Sequence, residues 1–283
     1  MAGSAYSQVL VAVRAARRAP LPDPFLPQIS PNGRWMLFGD SEERLVVQRR
    51  RTRSGGLIGA PRIVAGVTYS STGTAAAWSP DSAHLVIAGW VGNEQGLWIV
   101  HRDGSHQRRI VDDAKVEVEG DVDQHAIPAW SAKGGIAFVG SPVRYADGYL
   151  WAIYVVAPDG SGLRAVTKPV RKPVRGRFYG VLDSAPSWSP DGRRLVYAHD
   201  VFEEGSGALR SLMLATGVER RLGHAGASPV WSPDGRQIAF LSAYTYQRSV
   251  QAVGVIPSRG GSERLIRAPG ISGYFVDLHW RSR

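Results

Sequence analysis

The chain has 283 residues, 43% of them hydrophobic and 20% charged, and its 33 glycines and 18 prolines are typical of a folded protein with many short strands and turns. It contains no cysteine, which excludes disulfides, thiolate metal ligands and a cysteine nucleophile. The net charge of +10 favours an acidic partner, and the longest apolar run near the start, Val9 to Val13, is too short to cross a bilayer. We therefore expect no signal peptide and no membrane insertion, with the compartment left open.

In chain order, a phrase of the form Trp-Ser-Pro-Asp-Gly recurs in full or weakened copies at intervals of 43 to 58 residues. The copies and a final tryptophan stand at Ile29, Trp78, Trp130, Trp188, Trp231 and Trp280. That interval is typical of one four-stranded propeller blade. The sequence therefore predicts blades that start near residues 27, 76, 128, 186 and 229.

Each phrase predicts a tight turn between two strands. Proline presets φ, Asp191 and Asp234 bond their own backbone, and Gly192 and Gly235 accept a positive φ where the chain turns back. Three further β-prone segments follow in each complete unit, such as 85–88, 97–100 and 109–111 in the second unit. Each complete unit is therefore predicted to contain four antiparallel strands.

These residues resemble the PD40 (WD40-like) repeat of TolB-like propellers. The resemblance lies in the Trp-Ser-Pro-Asp-Gly phrase, in a strand such as Ile153-Tyr154-Val155-Val156, and in the Asp159-Gly160 turn before a basic outer strand. It covers nearly the whole chain. It implies radial four-stranded blades with the tryptophan-bearing strand innermost, and it implies an interaction role only at the level of the fold.

The two chain ends are predicted to close the ring. Residues 276–283 have room for one strand, and residues 6–19 align with 209–222, the third and fourth strands of a complete unit. We therefore expect an all-β, six-bladed β-propeller of four-stranded antiparallel blades, a single domain over 1–283, with a closing blade shared by both ends. The alternative is five blades plus an N-terminal helix.

The recurring tryptophans occupy one position of the repeat, so we expect them to pack between adjacent blades rather than to stack on a ligand. They are Trp78, Trp130, Trp188, Trp231 and Trp280. Asp191 and Asp234 each supply a single carboxylate, whereas a calcium site needs about six to eight oxygens. We expect these aspartates to cap their turns.

Two basic clusters do not follow the repeat and are candidate binding sites. The first contains Arg49, Arg50 and Arg51. The second lies in the longest insertion and contains Lys168, Arg171, Lys172, Arg175 and Arg177 with the aromatic Phe178 and Tyr179. Aromatic and basic side chains together are typical of nucleic-acid or protein contact surfaces, although a solvated loop has the same composition.

Acidic and imidazole side chains precede several of the innermost strands, at one mouth of the predicted channel. Asp123, His125, Asp183 and Asp277 are candidate ligands for a divalent metal such as Ca²⁺ or Zn²⁺. Their offsets from the tryptophans differ, so hydration of the channel mouth is the competing interpretation. We expect no cofactor other than this possible metal.

The sequence contains no nucleophile elbow, zinc-protease helix or phosphate loop. We therefore predict a non-catalytic, scaffold-like module that binds one or more protein partners within a larger assembly, with an acidic partner favoured by the net charge. The first alternative is a lactonase-like, metal-dependent hydrolase with its site at the channel mouth. The second is a basic protein that binds nucleic acid or another anionic surface through Lys168 to Arg177.

Overall fold

The computed structural model describes residues 9–12, 28–40, 42, 44–52, 56–68, 74–112, 115–118, 127–141, 144–145, 148–149, 151–168, 171–174, 177–201, 208–242, 252–266 and 278–281. Over these residues the backbone forms strands and turns, and no helix occurs. Accordingly, this part of the chain contains no helix that could span a membrane.

The first strand, β1 (Val9–Ala12), belongs to no blade. After it, the first half of the chain forms two four-stranded antiparallel sheets. The first blade contains β2 (Gln28–Ile29), β3 (Trp35–Gly39), β4 (Arg44–Arg50) and β5 (Leu57–Thr68). The second contains β6 (Thr74–Trp78), β7 (His84–Val91), β8 (Glu94–His101) and β9 (Arg108–Asp112). In both blades the strands pair in chain order, as a simple meander.

The third blade has a divided innermost strand. It contains β10 (Glu117–Val118), β11 (Ala129–Ser131), β12 (Gly135–Ser141), β15 (Ala152–Val156) and β16 (Arg164–Ala165). Both β10 and β11 pair with β12, each at a different end of that strand. The short hairpin of β13 (Arg144–Tyr145) and β14 (Gly148–Tyr149) is inserted between β12 and β15.

Long strands link the fourth and fifth blades into one continuous sheet. Its strands are β17 (Arg171–Val174), β18 (Arg177–Trp188), β19 (Arg194–Val201), β20 (Ala208–Met213), β21 (Val218–Trp231), β22 (Gln237–Ser242), β23 (Ala252–Pro257) and β24 (Arg264–Ile266). The first part of β21 pairs with β20 as the outer strand of the fourth blade, and its second part pairs with β22 as the inner strand of the fifth.

The prediction of a six-bladed propeller is wrong, because the described residues form five four-stranded blades. Among the described residues, the last strand, β25 (Leu278–Arg281), pairs with β1 and with no other strand, so these two segments form a two-stranded sheet beside β21. Of residues 6–19, only 9–12 are described, and local turn chemistry does not support the alignment of this segment with 209–222. The later segment contains Gly217 at a turn between two strands, whereas 6–19 contains no glycine, proline, asparagine or aspartate that could form one. The alternative prediction combines five blades with an N-terminal helix. The described part of that segment, Val9–Ala12, is a strand and not a helix.

The hydrophobic core lies between neighbouring blades. Among the described residues, four buried clusters combine side chains of the first and second, second and third, third and fourth, and fourth and fifth blades. The indole N–H of Trp78 donates a hydrogen bond to the carbonyl of Gln28 (3.3 Å), and that of Trp188 donates to Ala129 (3.1 Å). Trp78 and Trp188 therefore each join the innermost strand of their own blade to that of the preceding blade.

Candidate functional site

One end of the blades is formed by the turns between the first and second strands, and we call it the turn face: residues 30–34, 79–83, 131–134, 189–193 and 232–236. In the fourth blade, the Ser189 hydroxyl donates to Asp191 (2.6 Å), which also accepts the amide N–H of Arg193 (3.1 Å). The equivalent serine donates in the same way in three other blades: Ser30 to Asn32, Ser79 to Asp81, and Ser232 to Asp234. Four of the five turns are thus fixed internally.

The aspartates of the turn face are held in their charged form. The hydrogen bond from Ser189 is the main cause that lowers the pKa of Asp191, and Ser79 and Ser232 lower the pKa values of Asp81 and Asp234 in the same way. In the turns between the third and fourth strands, Ser161 lowers the pKa of Asp159. The turn face therefore carries fixed negative charges at neutral pH.

The turn of the third blade is built differently. Trp130 pairs with Ile136, six residues further along, whereas Trp188 pairs with Leu195, seven residues further along, so this turn is one residue shorter. It has Ala132 and Lys133 where the full repeat has proline and aspartate. The amides of Lys133 and Gly134 donate to the Ser131 hydroxyl oxygen, at 3.3 and 3.1 Å. The fixed carboxylate is absent from this turn.

A second difference opens a groove beside the third turn. In the first blade, the Arg50 guanidinium donates to the Gly33 carbonyl (3.1 Å), and in the second blade Arg102 makes the equivalent contact with Ser82 (3.4 Å). The strand register places Pro158 at this position of the third blade, and Leu214 and Ser258 in the fourth and fifth. Because proline has no long side chain, no guanidinium covers the third turn from this position.

The groove has a volume of about 370 Å³ and lies between the two turns of the third blade. Its walls include the partly buried Trp130, and its charged lining residues are Lys133 and Arg164, both exposed. Arg108 of the second blade donates to the carbonyls of Pro158 (2.6 Å) and Asp159 (3.3 Å), which fixes the outer wall. We call this cavity the third-blade groove.

The opposite end of the blades, which we call the mouth face, is where the chain enters each innermost strand. There Asp183 is 2% exposed, and its carboxylate lies 2.5 Å from Nδ1 of His199. A β-bulge at Ala185 and Pro186 shifts the register between β18 and β19, so that Asp183 faces His199. The Asp183 amide donates to the Trp151 carbonyl of the third blade (3.4 Å).

A buried polar network continues along the same face of β19. The Tyr197 hydroxyl donates to Glu219 (2.8 Å), which also forms an ion pair with Arg210 (2.9 Å). Burial, together with the charges of Asp183 and Glu219, raises the pKa of Tyr197, so this phenol stays a neutral hydrogen-bond donor. The network joins three strands of the fourth blade, with Tyr197 buried at its inner end and Arg210 and Glu219 partly exposed at its outer end.

The described residues do not fit a metal centre. Of the four candidate ligands, Asp123, His125 and Asp277 lie outside the described residues, and Asp183 is enclosed with His199. Within the described part of the chain, no three histidine, aspartate or glutamate side chains form a group that could hold a metal ion. The Nε2 atom of His199 is buried and has no hydrogen-bond partner among these residues.

The two predicted basic clusters lie at opposite ends of the blades. Arg49 and Arg51 are exposed on the turn face, whereas Arg50 is 8% exposed and supports a turn. The second cluster lies at the mouth face, where Lys168 is exposed. Its other described members are in the β17–β18 hairpin: Arg171, Lys172, Arg177, Phe178 and Tyr179, with Lys172 opposite Tyr179. Arg175 lies outside the described residues.

Sequence reasoning missed both His199 and the third-blade groove. Without the bulge, the register set by Trp188 and Leu195 would place Asp200 opposite Asp183. Pro186 was the available signal, because proline cannot donate to a ladder hydrogen bond and favours a bulge. The groove had a signal too, in the shortened turn and in the replacement of its aspartate by Lys133.

No protein-family model matches the chain, and no curated protein matches it. Solved structures share its fold. A putative TolB from Agrobacterium tumefaciens is 18% identical, with a TM-score of 0.58 over 86% of this chain and 79% of that one. TolB from Acinetobacter baumannii is 14% identical, with a TM-score of 0.62 over 91% of this chain and 57% of that one. A gluconolactonase from Xanthomonas campestris is 16% identical, with a TM-score of 0.55 over 87% and 76%.

At these identities the likeness establishes the fold alone. The chain is a β-propeller with distant structural similarity to TolB propeller domains, which confirms the resemblance seen in its repeats. The same fold occurs in the gluconolactonase, so the fold does not separate an interaction module from an enzyme.

Proposed function

We propose that this chain is a non-catalytic module that binds a protein partner through the turn face. The observation that carries the proposal is the internal fixation of the turns, where four serine hydroxyls donate to the aspartate or asparagine two residues later. A surface held in one conformation loses little conformational entropy when a partner binds, which favours affinity. The likeness to TolB propellers supports the proposal only through the shared fold.

Contacts between blades extend this fixation across the turn face. The amide of Asn32 donates to the Ser82 hydroxyl of the next blade (3.1 Å). A Cβ atom placed on Gly192 would stand 2.7 Å from the Lys133 Cβ, so the fourth turn rests directly on the third. Neighbouring turns therefore form one continuous surface rather than separate loops.

The competing proposal of a metal-dependent hydrolase finds less support. Among the described residues no three histidine, aspartate or glutamate side chains come together in a group that could hold a metal ion, and of the four candidate ligands only Asp183 is described. The proposal of a nucleic-acid or anionic-surface binder rests on the second basic cluster, of which Lys168 is exposed. No contact of that cluster distinguishes a ligand site from a solvated hairpin.

The test combines partner capture with metal analysis on the full chain. We expect the tagged protein, purified from its native cells, to retain another protein in a fixed molar ratio and to contain far less than one metal ion per chain. One bound Ca²⁺ or Zn²⁺ per chain that is lost in folded Asp183→Asn and His199→Gln variants would overturn the proposal. Hydrolysis of a lactone that is abolished by the same two variants would also overturn it.

A further inference from the structure

We propose that the third-blade groove binds an acidic segment of the partner protein, with a carboxylate held by Lys133 and Arg164 and an apolar side chain against Trp130. This inference rests on the proposed protein-binding function and assigns it a site and a partner chemistry. It is carried by the groove's volume, its charge and its departure from the other blades.

The groove exists because two changes coincide in one blade. The shorter turn removes one residue and the turn carboxylate, and Pro158 stands where Arg50 and Arg102 place a guanidinium in the first two blades. The fourth and fifth blades have Leu214 and Ser258 at that position but keep the longer turn, so the third blade alone among the five combines both changes. The resulting volume, about 370 Å³, is near the lower end of the usual range of ligand pockets, roughly 300–1,000 Å³. A short peptide segment fits such a volume, whereas a folded domain does not enter it.

The charge of the groove selects an acidic occupant. Among the described residues that line the groove, Lys133 and Arg164 are the charged ones, and both are exposed. Arg193, the residue after Gly192, is exposed in the neighbouring turn that rests on Lys133. A carboxylate at this position gains charge-assisted hydrogen bonds, which are stronger than neutral ones. The apolar wall supplied by Trp130 and Pro158 gives a flanking side chain a surface to cover.

The surroundings of the groove favour a protein segment over a nucleic acid. Asp103, Asp159, Asp191 and Asp234 stand on the same face, and hydrogen bonds from neighbouring serines lower their pKa values. Exposed arginines such as Arg49 and Arg193 share this face. However, an extended phosphate backbone that crosses the groove would also lie beside the charged Asp159, which follows Pro158 of the groove wall, and would be repelled there. A short acidic segment carries its charge within the groove and avoids these aspartates.

The experiment selects peptides from a random display library on the full chain and measures the affinity of the enriched peptides. We expect enriched peptides to carry aspartate or glutamate beside an apolar residue. The Lys133→Glu, Arg164→Glu double variant should weaken their binding by about tenfold or more. The matched control is Arg236→Glu, Arg259→Glu, which makes the same charge change at exposed positions of the fifth blade and should weaken binding less than about threefold.

A second pair of variants tests the shape of the groove without reversing a charge. Pro158→Arg restores the guanidinium found at this position in two other blades, and we expect a loss of about fivefold or more in affinity. Ser258→Arg makes the corresponding change in the fifth blade, at the residue that follows Pro257 just as Pro158 follows Ala157. The control should leave the affinity unchanged.

Three outcomes would overturn the inference. Enriched peptides without acidic residues would do so, as would acidic peptides that bind the double variant as tightly as the unaltered chain. A single-stranded oligonucleotide that needs Lys133 and Arg164, when no acidic peptide does, would assign the groove to nucleic acid instead. Peptides that bind outside the groove would overturn this inference but not the proposed function. Failure of both the peptide selection and the partner capture would overturn the proposed function as well.

Discussion

The turns of the third and fourth blades occupy the same place in the repeat and are built in opposite ways. In the fourth turn, Trp188 pairs with Leu195, seven residues further along, and the Asp191 carboxylate is bound by Ser189 and by the Arg193 amide. The third turn is one residue shorter, and its Ser131 oxygen accepts two amide hydrogens in place of that network. The fourth turn contains a fixed carboxylate, whereas the third contains none and carries Lys133.

The difference teaches that the repeat has separable parts. The third turn has lost the aspartate, yet it keeps the contact between blades, because Gly134 lies against the ring of Trp188: a Cβ on Gly134 would stand 2.4 Å from the ring. Packing between blades is therefore independent of the turn carboxylate. A blade can give up the carboxylate and gain a groove without loss of its place in the propeller.

The largest expected effect comes from removal of the side chain that joins the two turns. Trp188 is 9% exposed, contacts Gly134 and donates to the Ala129 carbonyl. We expect Trp188→Ala to lower the free energy of unfolding by roughly 3–5 kcal/mol, because it leaves a cavity between two blades. Urea denaturation followed by circular dichroism measures the change.

The control for this change is Trp90→Ala. Trp90 is 44% exposed at the end of β7, so its removal should alter the free energy of unfolding by less than about 0.5 kcal/mol. A cost below about 1 kcal/mol for Trp188→Ala would show that the third and fourth blades are not held together at this point.

A smaller effect separates contact between turns from backbone strain. Gly192 and Gly217 have φ values of +70° and +68°, a left-handed conformation that costs a residue with a Cβ about 1 kcal/mol. A Cβ on Gly192 would also meet the third turn, whereas a Cβ on Gly217 has no atom within 4 Å. We expect Gly192→Ala to cost roughly 1–3 kcal/mol more than Gly217→Ala in urea denaturation. Equal costs would mean that the two turns do not touch.

Much of the fold follows from local sequence chemistry. The Ser-Pro-Asp-Gly turns give the position of each hairpin, and alternating apolar segments give the strands, which is why the propeller and its likeness to TolB were predicted. The number of blades was predicted incorrectly. Residues 6–19 match the third and fourth strands of a complete unit in spacing but contain no glycine, proline, asparagine or aspartate for the turn between those strands, and spacing alone does not predict a hairpin.

The sites were harder to predict, because they depend on contacts between segments that are distant in sequence. Arg50 belongs to a predicted basic cluster, but its guanidinium is buried on the Gly33 carbonyl. The partner of Asp183 depends on a bulge that shifts the register by one residue. The third-blade groove depends on the lack of a long side chain at Pro158. This feature is recognised only by comparison with Arg50 and Arg102, at the equivalent position of the first two blades. The proposed binding roles remain predictions.

The smallest expected effect tests the chemical difference between the two turns directly, through pH. Hydrogen bonds lower the pKa of Asp191 in the folded chain, with Ser189 as the main cause, so this carboxylate stabilises the fold above its unfolded pKa, near about 4. That stabilisation is lost as the pH falls through the lowered folded pKa. We expect Ser189→Ala to cost about 1 kcal/mol at neutral pH. In urea denaturation, the difference in free energy of unfolding between this variant and the unaltered chain should narrow as the pH falls below about 4.

Ser131→Ala is the matched control, because the Ser131 oxygen accepts only amide hydrogens, from Lys133 and Gly134, and the third turn contains no carboxylate. Its cost should stay constant over the same range of pH. Part of the Ser189→Ala cost should also persist in acid, since the Ser189 oxygen accepts the Arg194 amide hydrogen as well (2.9 Å). A gap for Ser189→Ala that does not change with pH would show that Asp191 contributes to the turn through its shape and not through its charge.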